Sequence, residues 1–102
     1  MAVVESEKTA VVMSERFLQY VWMASGGLSA LSVEKLLPLR RQRVVLFPDT
    51  DPDGSAFARW KAIADEASRR FLSPVYVSRL LERHATPEQK AAKIDITDYL
   101  FH

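Results

Sequence analysis

Apolar positions along this chain fall into two rhythms: short unbroken runs, and longer stretches that step by three or four. The runs predict strands at Ala2-Val3-Val4, Tyr20-Val21-Trp22-Met23-Ala24, Val44-Val45-Leu46-Phe47 and Pro74-Val75-Tyr76-Val77. The third is the clearest, with four apolar residues between Arg43 and Pro48. A run apolar at every position suits a strand covered on both faces, as parallel sheets require. The stepped stretches predict helices. From Lys8 to Leu18 there is no Gly or Pro, and Ala10, Met13 and Phe17 recur at helical spacing. Residues 55–71 are the strongest case, where Phe57, Trp60, Ala64, Ala67 and Phe71 make one apolar stripe. Ser32 is placed to cap a short helix over residues 33–37, stopped by Pro38. Thr86-Pro87-Glu88 opens another with Pro at the first helical position, and residues 95–101 form a last short one.

Strands alternating with helices predict an α/β fold: a three-layer α/β/α sandwich around a mainly parallel sheet of about four strands. At 102 residues the chain fits one domain, 1–102, without internal repeat or linker. Strand-like residues begin almost at residue 2, as expected of a domain cut from a longer protein. The composition, 48% apolar and 26% charged, is globular and excludes a disordered tail. No apolar run approaches the ~20 residues that span a bilayer, and Met1-Ala2-Val3-Val4-Glu5 has no basic stretch leading an apolar one. No membrane partner and a cytoplasmic location are therefore expected. Absence of cysteine removes a disulfide framework, a thiolate metal site and a cysteine nucleophile. The 14 Lys+Arg against 13 Asp+Glu, net +1, exclude a wholesale basic surface for duplex DNA and leave room for a local patch.

In parallel sheets, ligand sites form beyond the C-terminal ends of the strands, where strand order reverses. Beyond the first strand stand Glu5-Ser6-Glu7, beyond the second Ser25-Gly26-Gly27, and beyond the third Asp49-Thr50-Asp51-Pro52-Asp53-Gly54. Three aspartates at alternate positions repel one another unless a cation neutralises them. Oxygen ligands without His or Cys favour hard cations such as Mg²⁺ or Mn²⁺. An EF-hand is excluded: the twelfth residue from Asp49 is Trp60, where that loop needs a bidentate Glu, and a strand rather than a helix precedes it. If the first and third strands are neighbours, their tips lie ~5 Å apart. Glu5 and the aspartates then share one crevice, an arrangement suited to metal-assisted phosphoryl chemistry.

A Glu closing the first strand, followed by a strand ending in D-x-D-x-x-G, resembles the Toprim domain of bacterial primases, type IA and type II topoisomerases and related nucleases. The matching pieces are Val3-Val4-Glu5-Ser6-Glu7-Lys8-Thr9-Ala10 and Leu46-Phe47-Pro48-Asp49-Thr50-Asp51-Pro52-Asp53-Gly54. The resemblance extends along nearly the whole chain, to Asp95-Ile96-Thr97-Asp98-Tyr99-Leu100. In local detail it is nearest to uncharacterised primase-like proteins of bacterial mobile elements. It implies that Glu5 is the catalytic acid/base, that Asp49 and Asp51 bind Mg²⁺ or Mn²⁺, and that Asp53 assists them. It implies DNA or RNA and nucleotides as partners, together with other domains of a longer parent protein. Many Toprim domains carry Gly after the Glu, where this chain has Ser6, a residue able to serve in a helix-capping turn.

Lys8, Gly26 and Gly27 are candidate phosphate contacts, each with a plainer role as surface lysine or turn former. Glu7 suits the positive end of a helix dipole. Arg40-Arg41-Gln42-Arg43 lies at the edge opposite the acids, and Arg59, Lys61, Arg69 and Arg70 lie outside the apolar stripe; solvation is the default role of both groups and contact with a nucleic-acid backbone the alternative. Trp22, Trp60, Phe57 and Phe71 are read as core. Tyr20, Tyr76 and Tyr99 are read as strand or packing residues, which favours primase-like or nuclease-like chemistry over strand passage. His84 and His102 lack ligand-spaced partners. Two other classes remain open: a non-catalytic, metal-dependent module that binds nucleic acid or a partner, and a receiver-like phosphotransfer domain. The second fits less well, since Glu5 and Glu7 imitate its acid pair poorly and Arg79 does not replace its lysine.

Overall fold

In the computed structural model, which describes residues 1–18, 20–26 and 31–101, strands β1 (Ala2–Val4), β2 (Trp22–Ala24), β3 (Val44–Phe47) and β4 (Val75–Val77) form one sheet. Its order is β2-β1-β3-β4 and every pairing is parallel. The chain leaves β1 to one side and returns to its other side as β3. The strand order therefore reverses between β1 and β3, where Val3 faces Leu46 and Val4 faces Phe47 in register.

Helix α1 (Glu7–Arg16) links β1 to β2, and α2 (Val33–Leu36) runs into a 3₁₀ turn (Leu37–Leu39) before β3. The long α3 (Ser55–Arg70) returns the chain to β4. Three short helices follow: α4 (Leu80–His84), α5 (Pro87–Ala91) and α6 (Ile96–Phe101). Alternation along the strands sends side chains to two cores. On one face Val3, Val44, Leu46 and Val75 meet Trp60, Ala64 and Ala67 of α3, with Leu36 and Leu39 beside them. On the other, Val4 meets Met13 of α1, Leu81 of α4 and Ile96 of α6, with Trp22 and Phe47 packed against them. The molecule is a three-layer α/β/α sandwich. No described helix is long and apolar enough to cross a membrane.

The elements depart from the sequence pattern mostly at their ends. Strand β2 starts at Trp22, because Tyr20 and Val21 lie exposed and only the Val21 carbonyl joins the ladder, accepting from Ala2 N at 2.8 Å. Helix α2 ends at Leu36, one residue short of the reading and just before Pro38, which sits near the start of the following 3₁₀ turn, where a missing N–H costs little. Helix α1 does begin at Glu7 as read, with Ser6 as its cap, the hydroxyl accepting from Thr9 N at 3.2 Å. Phe17 and Phe71 are helix caps rather than last turns. Helix α4 has no counterpart in the pattern, since Leu80 and Leu81 are adjacent and give no helical step. Trp60 and Ala64 are core as the stripe predicts, whereas Phe57 and Trp22 are only half-buried. Gly27 and His102 lie outside the described residues.

Candidate metal and catalytic site

The site is built on the reversal between β1 and β3. Pro48, buried directly after β3, has no N–H and cannot extend the ladder. The next donor along the chain is the amide of Asp49, and it donates to Glu5 Oε2 at 2.7 Å. The two strand tips are thus tied by the Glu5 side chain itself. On the other side, Ser25 N donates to Val4 O at 2.9 Å and Gly26 N to Glu5 O at 3.0 Å. Gly26 has φ +90°, a conformation that favours glycine, and its amide is committed to closing this turn.

The acidic loop splits its three aspartates. Asp49 is half-buried against Glu5. Asp51 turns toward α3, where Oδ2 accepts from Ser55 Oγ at 2.7 Å and Ala56 N at 3.0 Å. Its other oxygen, Oδ1, is buried with no hydrogen-bond partner. Asp53 is exposed and accepts from Ser55 N at 3.0 Å. Gly54 occupies the cap position of α3 with φ +74° and no side chain to offer, so Asp51 and Asp53 satisfy the helix's first amides. Asp53 therefore stands apart from Glu5 and Asp49.

Two residues the sequence pattern did not single out complete the cluster. Asp95 caps α6, accepting from Asp98 N at 2.8 Å, and its Oδ2 accepts from the Thr9 hydroxyl at 2.6 Å. Thr9 is buried on α1 and also shares a 2.8 Å hydrogen bond with Ser6 Oγ. The Thr50 amide donates to Ile94 O at 2.9 Å, which seats the start of α6 against the acidic loop. The available signals were a hydroxyl on the inward face of α1, one turn before Met13, and the D-x-x-D pattern at Asp95 and Asp98, typical of a helix start.

Carboxyl groups crowd together here, and their protons are held more tightly than usual. Burial pushes the Asp49 carboxyl up to about 8, helped by the charges of Glu5, Asp95 and Asp98. Burial likewise raises Glu5, partly offset by the Asp49 amide and reinforced by Asp51 and Asp95. Asp53 moves the other way, lowered by its hydrogen bonds with Ser55. The ion pairs Lys61–Asp65, Arg69–Glu66 and Lys90–Glu82 lie outside the cluster. A groove of about 390 Å³ opens on it, lined by Glu5, Ser6, Glu7, Gly26 and Asp49. Lys8 is exposed in the first turn of α1 and does not line this groove. Among the described residues no three His, Asp or Glu side chains already converge as a preassembled ion cage. Glu5 is held by an amide and Asp51 by the start of α3.

A parallel α/β sandwich with half-buried carboxylates at its strand-order reversal is the class that fold and site define. Residues 1–50 match the model of a domain of unknown function (DUF6371), a stretch that includes Glu5 and Asp49 and stops short of Asp51. Neither the curated proteins nor the solved structures contain a match to the chain.

Proposed function

We propose that this chain is a Toprim-like domain of a nucleic-acid-processing protein that uses Mg²⁺ or Mn²⁺ in phosphoryl or nucleotidyl transfer, in a primase-like setting. The observation that carries this reading is the Glu5 carboxylate bonded across the β1–β3 reversal to the amide of Asp49. That bond brings the acids of two strand tips together at the sheet edge where ligand sites form. The donor set fits a hard cation: all oxygens, one of them, Asp51 Oδ1, buried without a partner. Asp49 and Asp51 hold the ion in this reading, with Asp53 auxiliary. When bound, the ion neutralises phosphate charge.

The remaining work belongs to the chain. Glu5, half-buried with its carboxyl raised, holds a proton nearer neutral pH than a surface glutamate does. It is therefore suited to exchange one with an attacking or leaving oxygen. Asp49 binds a proton up to about pH 8, so cation binding displaces it and strengthens as pH rises. Of the candidate phosphate contacts, Lys8 lies outside the groove and the Gly26 amide is already bonded to Glu5 O, so neither carries the reading. DNA or RNA and nucleotides are the substrates, other domains of a longer mobile-element protein supply template grip, and the setting is cytoplasmic.

A non-catalytic, metal-dependent binding module is the second reading. It is favoured by the commitment of Asp51 to Ser55 and Ala56. The receiver-like alternative gains nothing, since Arg79 rests over the ring of Phe57, 5.3 Å from its centroid. Nicking and nucleotide-polymerisation assays on the full-length protein, with and without Mg²⁺, separate the readings. The enzyme reading expects metal-dependent turnover and a loss of roughly a hundredfold or more in Glu5→Ala. Turnover unchanged in Glu5→Ala contradicts it, and metal binding without turnover in the wild type selects the module.

A further inference from the structure

We propose that the opposite edge of the sheet, at the N-terminal ends of the strands, is a docking surface for single-stranded nucleic acid. It is formed by Arg40, Arg41, Arg43 and Arg70 at the strand ends, beside a groove that Arg43 shares with the rings of Tyr20 and Tyr76. This surface is remote from the carboxylates and does not depend on their reading. The near-zero net charge conceals a separation. Residues 35–48 and 67–81 contain no Asp or Glu, yet carry Lys35, Arg40, Arg41, Arg43, Arg69, Arg70 and Arg79.

The fold stitches these two segments together. Leu72 N and Ser73 N both donate to Arg40 O, at 3.2 and 3.3 Å, and Ser73 Oγ donates to Arg41 O at 3.4 Å. Because α3 runs back along the sheet, its last residues, Arg69 and Arg70, reach the edge where β3 begins. Arg69 is paired with Glu66, whereas Arg40, Arg41, Arg43 and Arg70 are exposed and have no carboxylate partner among the described residues.

Beside them lies an open groove of about 330 Å³ lined by Met1, Tyr20, Arg43, Val45 and Tyr76. Val45 and Tyr76 are register neighbours, so they share one face of the sheet. Helices cover that face farther along, at Val4 and Phe47, and leave Tyr76 46% and Tyr20 43% exposed. The Arg43 guanidinium stacks over Tyr76 at 5.5 Å from the ring centroid.

Flat rings interleaved with guanidinium planes are what sequence-tolerant single-strand sites use: arginines follow the phosphates and bases stack on the rings. A duplex, its bases already stacked, has no use for the rings. An acidic peptide would meet the arginines but gains nothing from two half-exposed rings. The surface suits a short tract of roughly four to eight nucleotides, toward the small end of such sites.

Fluorescence anisotropy of a labelled twelve-nucleotide oligo-dT, titrated with the whole chain in EDTA at low salt, tests this. Binding is expected with a slope of log K against log salt of about −2 to −3, for three or four phosphates at ~0.7 each. Arg41→Ala combined with Arg70→Ala should weaken it tenfold or more with an unchanged circular dichroism spectrum. Tyr76→Leu should weaken it while Tyr76→Phe, which keeps the ring face, should not. Asp49→Asn with Asp51→Asn should leave it intact, so this proposal and the carboxylate reading fail separately. Absence of binding at low salt overturns the proposal, as does full affinity in the double arginine variant. Equal affinity for a duplex or for polyglutamate also overturns it.

Discussion

Asp49 holds a proton that its unfolded counterpart has lost, and the sign of the consequence is fixed. Its carboxyl moves from an ordinary value of 3.8 to about 8 on folding. Between those limits the folded state binds more protons than the unfolded one, so stability falls as pH rises from about 4 to 8. Glu5, also raised, adds in the same direction. Urea midpoints measured without divalent ions should decline across this range, from Asp49 by less than the ~1.4 kcal/mol per pH unit that one whole proton would give. Asp49→Asn should flatten the decline and raise stability at pH 8. A midpoint that climbs from pH 5 to 8 would contradict the crowded acid cluster. Added Mg²⁺ should raise the midpoint most at the alkaline end, by mass action on the folded state. Glu5, Asp49 and Asp51 were legible because each lies in the loop that leaves a recognisable strand. Asp95 was not, since the hydrogen bond that brings it in joins residues 86 positions apart. The outward turn of Asp53 depends on a left-handed Gly54 that a sequence pattern does not display.

Among the elements, α3 and β3 set the acidic loop, and they are also the two that the hydrophobic pattern marked most plainly. Trp60 has no exposed surface and fills the centre of one core. Trp60→Ala should cost about 3–5 kcal/mol in denaturant unfolding, and a loss below 1 kcal/mol would mean that α3 does not pack on the sheet as described. Gly54 is the hinge between loop and helix. Its φ of +74° disfavours any side chain, and a Cβ there would stand 3.0 Å from Glu82 Oε1. Gly54→Ala should therefore destabilise by about 1–2 kcal/mol and weaken Mn²⁺ binding by disturbing Asp51 and Asp53. Unchanged stability would place the loop in another conformation. Short elements were the illegible ones. Helix α4 and the limits of β2 are decided by packing against neighbours, and a handful of residues carries too few apolar positions to announce a period.

At the scale of the whole molecule, the alternation of strands and helices was enough to specify a parallel sandwich. Which strands are neighbours decides the site, and that was a condition rather than a reading until the order β2-β1-β3-β4 supplied it. With β1 beside β3, acids collect at one end of the sheet while arginines collect at the other, a polarity hidden by a net charge of +1. The account turns on the acidic end taking a divalent ion. Titrating Mn²⁺ into the folded protein while recording amide NMR spectra tests this most directly. Paramagnetic broadening is expected to centre on Glu5, Asp49 and Asp51 and to vanish in Asp49→Asn with Asp51→Asn. Broadening that spares those residues, or none at millimolar Mn²⁺, would contradict it.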